Sequence, residues 1–236
     1  MKFQSSLEEA TLITRYKRFL ADVKLSNGQV ITIHCPNTGS MKNCQDPGSK
    51  IWFSTVNKKT RKYPQTWQVV EVYGSELVGI NTGLANKLVL EAIEGGVIKQ
   101  ITNFSRLRTE VSYGTENSRI DILLEDDRSR CYIEVKNVSF GVSGKIGLFP
   151  DAITVRGQKH LKELMTVRKA GDRAILFFCV QHTGVEKVSP AEEIDPVYTD
   201  LLRKALAVGV EVIAYQAAID ISSSTIKLEK ELPVIA

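Results

Sequence analysis

Asp121, Glu134 and Lys136 are the residues of this chain whose types and spacing best suit chemistry. Side chains two apart in a strand share a face, so Glu134 and Lys136 project together from a strand over 131–138, while Cys131, Ile133 and Val135 turn to the other side. Asp121 stands alone between Ile120 and Ile122 in a well-patterned strand over 119–124. If the two strands pair as a hairpin about the acidic turn at 125–130, Asp121 and Glu134 approach each other. Two close carboxylates repel unless a cation joins them, and hard oxygen ligands suit Mg²⁺ or Mn²⁺. Lys136, one side chain away, is placed to orient or activate a water and to offset charge building on a phosphate.

An Asp, twelve intervening residues and Glu-Val-Lys match the PD-(D/E)XK nuclease pattern, in which Asp and Glu bind metal and Lys completes the site. Glu-x-Lys alone is a weak signal, but it occurs once in this chain, on the third strand after a helix. Such a site also draws on a helical Glu, for which Glu91 is the candidate and Glu110, on the first strand, the competitor. A polar residue on the next helix completes it, and Gln158 is the natural choice. Helical spacing puts Arg156 and His160 on one face, where they could hold phosphate. The loop bearing Gly141, Gly144 and Gly147 lacks the Gly-Lys-Ser/Thr of a P-loop. No nucleophile elbow supports a serine triad, and His34 and His182 read as structural histidines.

The elements that must position these residues fall into two patterns. From residue 84 onward helices alternate with strands: a helix over 84–94 closed by Gly95-Gly96, strands over 107–113, 119–124 and 131–138, and a loop over 139–149. A helix over 154–170, a strand over 174–180, a helix over 197–208 and a strand over 211–215 follow. That order is an α/β domain with a mixed sheet, residues 84–236. Residues 1–83 read instead as five short strands, over 12–25, 30–35, 50–56, 67–73 and 77–81, punctuated by Asn27-Gly28, Pro47-Gly48 and Gly74. Five short strands with little helical period suggest a small closed β-barrel of the OB-fold kind. The whole chain is thus α+β.

Charge separates the same two segments. Residues 1–83 hold eleven basic and six acidic side chains, residues 84–236 twenty and twenty-one, so the net +4 arises entirely in the first. Arg15, Lys17 and Arg18, and Lys58, Lys59, Arg61 and Lys62, lie among Tyr16, Phe19, Tyr63 and Trp67. Cations interleaved with aromatics suit a polyphosphate whose bases stack, which makes DNA the expected partner. The longest strongly apolar run, 174–180, is far short of the roughly 20 residues that span a bilayer. Acidic Glu8 and Glu9 stand where a signal peptide needs an apolar stretch, so the expected location is cytoplasmic. Cys35, Cys44, Cys131 and Cys179 show no zinc spacing and read as buried or idle thiols.

Several longer stretches carry a resemblance. They are Arg15-Tyr16-Lys17-Arg18-Phe19, His34-Cys35-Pro36-Asn37-Thr38-Gly39-Ser40-Met41, Ser118-Arg119-Ile120-Asp121, Glu134-Val135-Lys136-Asn137-Val138, and Phe149-Pro150-Asp151-Ala152 through Arg156-Gly157-Gln158-Lys159-His160-Leu161. In this order, from about residue 10 to 233, they resemble the bacterial sugar fermentation stimulation protein A family. The resemblance implies a DNA-binding protein linked to sugar catabolism genes, with an OB-like first domain and a PD-(D/E)XK nuclease-like second. Two functions follow as expectations: a Mg²⁺-dependent nuclease, or a regulator whose nuclease-like domain only binds.

Overall fold

The computed structural model describes residues 1–56, 61–114 and 118–236. Strands β1 (Glu8–Tyr16), β2 (Leu20–Leu25), β3 (Val30–His34), β4 (Lys50–Thr55) and β5 (Gln65–Val72) form a sheet in the order β3-β2-β1-β4-β5. A parallel pairing of His34 with Thr66 joins β3 to β5 and closes the barrel. Alternating inward residues Leu12, Val23, Ile33, Ile51, Phe53, Trp67 and Val70 fill it. The barrel has five strands, as expected, but not the same five. The stretch 12–25 is two strands broken by a turn in which Lys17 and Arg18 take left-handed φ of 50° and 64°. The stretch near 77–81 is β6 (Glu76–Gly79), which pairs with β5 outside the closure and bridges His182 through Val78.

A turn at Thr82–Leu84, capped by the Asn81 side chain, leads into helix α1 (Ala85–Glu94). The second sheet comprises β7 (Arg106–Tyr113), β8 (Ser118–Glu125), β9 (Arg130–Val138), β12 (Arg173–Val180), β14 (Glu211–Asp220) and β15 (Thr225–Leu232). Its order is β15-β14-β12-β9-β8-β7, with β12 parallel to β9 and β14 and the outer pairs antiparallel. The stretch 139–149, expected as a loop, is a hairpin of β10 (Phe140–Val142) and β11 (Ile146–Phe149), extended by β13 (Lys187–Pro190) into a small sheet. Strands β13 and β15 carry too few consecutive apolar residues to stand out by sequence.

Helix α1 covers one face of the large sheet, and helices α2 (Val155–Lys169) and α3 (Pro196–Ala207) cover the other. Being covered on both sides explains the unbroken apolar run of β12: Ile175, Phe177 and Cys179 face α1, and Leu176, Phe178 and Val180 face α2 and α3. Each large side chain so buried stabilises by about 1.5–3 kcal/mol, and Phe177→Ala is expected to cost about 3–5 kcal/mol.

Barrel and second domain are joined side to side. Trp52 and Val69 on the outside of the barrel share the α1 core. The barrel loop after β3 docks on the other unit through Ser40, whose N–H and Oγ donate to Asp151, through Asn43 Nδ2, which donates to the Gly141 carbonyl, and through Cys44 Sγ on the Ser139 carbonyl. Residues 1–3, within the segment read as barrel, instead lie along β15: Lys2 bridges Thr225, and the Phe3 N–H donates to the Ser224 carbonyl.

Candidate active site at the end of β9

Strand β8 changes face at Asp121. Ile120 packs with α2 and α3, whereas Ile122 packs with α1, although two residues apart they belong on one face of a regular strand. The ladder between β8 and β9 begins only at Ile122 and Ile133, so Asp121 lies where the strands separate. There its Oδ2 accepts the Val135 N–H at 2.8 Å in place of a ladder bond, and its Oδ1 accepts from Asn86 Nδ2 at 2.8 Å. Such irregularities re-aim a side chain beside a site. The facing strand is irregular at the same point: Glu110, opposite Asp121 in the register, is exposed and has φ of 53°.

Glu134 and Lys136 share the α2 face of β9, as the alternation predicts. Glu134 is 2% exposed, and its Oε1 accepts from Lys136 Nζ at 2.6 Å. His160, buried on α2, brings Nδ1 against the same oxygen and lies 3.0 Å from Lys136 Nζ. The helix start that sets its position is capped by Thr154, whose hydroxyl accepts the Gly157 N–H at 3.0 Å. One turn before His160, Arg156 donates from Nε to His160 Nε2 at 3.4 Å. With Nε2 accepting, the network assigns the ring proton to Nδ1, which donates to Glu134.

The two carboxyls are driven apart electrostatically. Burial pushes Glu134 up, but the His160 hydrogen bond and the Lys136 ammonium outweigh it and hold the group below the ordinary carboxylate range. Asp121 is raised, first by burial and then by the charge of Glu134, against the Val135 and Asn86 hydrogen bonds. Among the described residues, Glu134 Oε2 has no hydrogen-bond partner, and neither do Tyr113 Oη and Tyr198 Oη within electrostatic reach of it. Burial raises both tyrosines, and Glu134 raises them further. An ionised carboxylate oxygen left over in a folded interior is unusual and suits a water or an ion. Asp121 and Glu134 are linked electrostatically; among the described residues no group of three or more His, Cys, Asp or Glu is arranged to hold a metal.

Other expected members lie elsewhere. Glu91 is half-exposed and bonded to the Met1 amine, because its position on α1 turns it away from the sheet. The residue α1 does supply is Asn86, whose signal is a polar side chain in line with buried Val89 and Ile93, three and seven residues on. Gln158 is not at the site: its amide donates to both oxygens of Asp195, which also caps α3 through the Tyr198 N–H. His160 is buried against Glu134 and Lys136, so of the pair read as phosphate contacts only Arg156 is exposed.

On the barrel, Arg15 is a structural clamp, its guanidinium donating to the carbonyls of Arg18, Asn37 and Gly39 and to Gln45. Lys17, Arg18, Arg61 and Lys62 are exposed, with Lys62 Nζ 5.5 Å from the Tyr63 ring centre. Lys58 and Lys59 lie outside the described residues. All four cysteines are buried and free, and burial pushes the thiols of Cys44, Cys131 and Cys179 up to about 12, which leaves them inert. Burial lowers His182 to about 4, in keeping with a structural histidine. Among the described residues no helix is long and apolar enough to cross a membrane.

Two family models match the chain: the sugar fermentation stimulation protein RE domain over residues 83–223 and the SfsA N-terminal OB domain over residues 13–80. A sugar fermentation stimulation protein homolog of Shewanella loihica is 54% identical over 235 residues, covering 99% of each chain. A homolog so named from Teredinibacter turnerae is 53% identical over 235 residues and covers 100% of each. Among solved structures, Pyrococcus furiosus SfsA in complex with Ca²⁺ matches with a TM-score of 0.88 at 26% identity, over 100% of this chain and 98% of that one.

Proposed function

This chain belongs to the sugar fermentation stimulation protein family, and from that premise we propose that it binds DNA and cleaves phosphodiester bonds with a divalent cation held by Asp121 and Glu134. The observation that carries the reading is buried Glu134 beside Lys136 and half-buried Asp121, with Glu134 Oε2 left without a hydrogen-bond partner among the described residues. The donor set fits Mg²⁺ or Mn²⁺, being hard oxygen and anionic, and a cation would offset both the burial and the charge of Glu134 that raise Asp121. Pyrococcus furiosus SfsA is seen in complex with Ca²⁺, a cation that takes oxygen ligands, which supports the reading. When bound, the ion supplies Lewis acidity and a water of lowered pKa.

The chain's own groups do the rest. Val135 N–H and Asn86 fix both oxygens of Asp121. His160 holds Glu134 ionised and keeps Lys136 close, and Lys136 offsets charge on the phosphate at the chemical step. Exposed Lys17, Arg18, Arg61, Lys62 and Arg156 draw in the DNA backbone.

One observation favours a second reading, a regulator that binds without cutting: Glu134 Oε1 is already neutralised by Lys136 and His160. Incubation of the purified protein with labelled single-stranded and duplex DNA, with EDTA, Mg²⁺ or Mn²⁺, separates the two. Cation-dependent cutting that disappears in Glu134→Ala is the expected result. Binding with no cutting under any cation selects the regulator.

A further inference from the structure

We propose that the cleft beyond the C-terminal end of β9 seats one unstacked nucleobase of a DNA strand, a proposal that rests on the DNA-binding reading above. Ligands of α/β sheets settle outside the carboxyl ends of the parallel strands, and β9 and β12 are such a pair. The cleft there, about 220 Å³, opens between the barrel loop at Thr38 and the residues Asn137, Ser139, Phe140, Phe149 and Asp151. Pockets for whole small molecules run about 300–1,000 Å³. This one is too small for a dinucleotide and suits a single ring system.

Its walls offer stacking. Phe149 is held from behind by Phe178 and Tyr198, with ring centres 5.7 and 5.3 Å away. Phe140 carries the Lys42 ammonium 5.7 Å from its ring centre, which sets a cation at the mouth. Stacking on aromatic rings accepts any base, and a nearby cation serves the phosphate that follows.

The polar groups divide the nucleotide. Asn137 Oδ1 accepts from Gln181, so the Asn137 amide keeps its own N–H groups for a ring nitrogen or carbonyl. Asp151 Oδ2 accepts from the Ser40 N–H and hydroxyl, which fixes a carboxylate on the cleft. That charge repels phosphate and accepts from an exocyclic amino group. The cleft therefore takes a base rather than a phosphate, and an amino-bearing base before thymine. Asn137 follows Lys136 in β9, so the base seat and the chemical site lie one residue apart along the strand, on its opposite faces. A paired base cannot enter, so the substrate is single-stranded or opened DNA.

The experiment measures affinity of the full chain, in EDTA, for a single-stranded oligonucleotide in which one abasic site is walked along the sequence. The expected result is a roughly tenfold loss at one position on the parent, the scale of one base–aromatic stack. No such loss is expected on Phe140→Leu, or on Thr38→Trp, which blocks the cleft from an exposed position and spares the core. Binding that ignores the abasic site everywhere, or variants that lose as much as the parent, would overturn the cleft and leave DNA binding standing. Failure of the parent to bind any DNA overturns both. A free mononucleotide that binds as tightly as the oligonucleotide overturns the assignment to a strand.

Discussion

The end of β9 and the rim of the barrel both gather charge, but under opposite physical conditions. At β9 the charges are few and largely withdrawn from water: Glu134 and His160 are buried, Lys136 and His160 both reach Glu134 Oε1, and the charge of Glu134 helps to raise half-buried Asp121. At the rim Lys17, Arg18, Arg61 and Lys62 stand in solvent and are screened over about 10 Å at ordinary salt. A buried cluster can do chemistry because its members are held in place, whereas an exposed set adds attraction in small independent steps. Substitutions in the two regions should therefore differ in size, in salt dependence and in their effect on folding.

The largest expected effect is at the buried end. Lys136→Met should lower cation-dependent cleavage by about 10²–10³-fold, the scale of losing one preorganised electrostatic group, while DNA affinity stays within about twofold. Single-turnover rates on labelled DNA check this; a loss confined to affinity would place Lys136 with the rim. Next comes Arg15, which by sequence belongs with the rim but by structure is a clamp. Arg15→Ala should destabilise by about 1–3 kcal/mol in denaturant melts, because it strips carbonyls of the 37–39 loop of their donor. A change in salt slope without a change in stability would return it to the binding surface.

At the rim itself, replacing Arg18, Arg61 and Lys62 together by Ala should leave stability within about 0.5 kcal/mol. It should flatten the dependence of log K on log salt by about 0.7 for each phosphate that is no longer neutralised. Affinity titrations at several salt concentrations read both. The smallest effect concerns a carboxylate of the second domain that does no chemistry. Burial pushes Asp195 up, but hydrogen bonds from Thr154 N–H, Tyr198 N–H and Gln158 outweigh it and hold it below the usual range. Its stabilisation is therefore complete above the unfolded-state value of about 3.9 and is lost as pH falls through the lower folded one. Melting curves from about pH 6 down to about pH 2 should show less acid loss in Asp195→Asn than in the parent. Equal slopes would mean Asp195 is not held in this way.

Much of this contrast is legible in the residues alone. Period-two alternation is enough to put Glu134 and Lys136 on one face and to single out Asp121 between two isoleucines, and turn residues at Asn27-Gly28 mark the barrel's hairpins. What spacing does not say is which way a face looks. Arg156 and His160 do share a helix face, but the fold turns that face inward at His160, so an expected phosphate contact is a partner of Glu134 instead. Gln158 is drawn to Asp195 because α3 begins beside α2, a tertiary accident with no local signature. Arg15 misleads because composition cannot tell an arginine in water from one satisfying an irregular loop. Asn86 stays hidden because a lone amide on a helix has no motif.

The bridge between Lys2 and Thr225 has a consequence for how the chain is made. Residues 1–3 leave the ribosome roughly 220 residues before the strand they lie against, which at about 5–20 residues per second is a wait of about 10–45 s. All strands of the barrel are available early in that interval, so the barrel can close while residues 1–3 are still unpaired. They are then captured only when β15 emerges. The strand that starts at Thr225 thus clasps residues 1–3, and a nascent chain stalled before residue 225 leaves those residues unpaired.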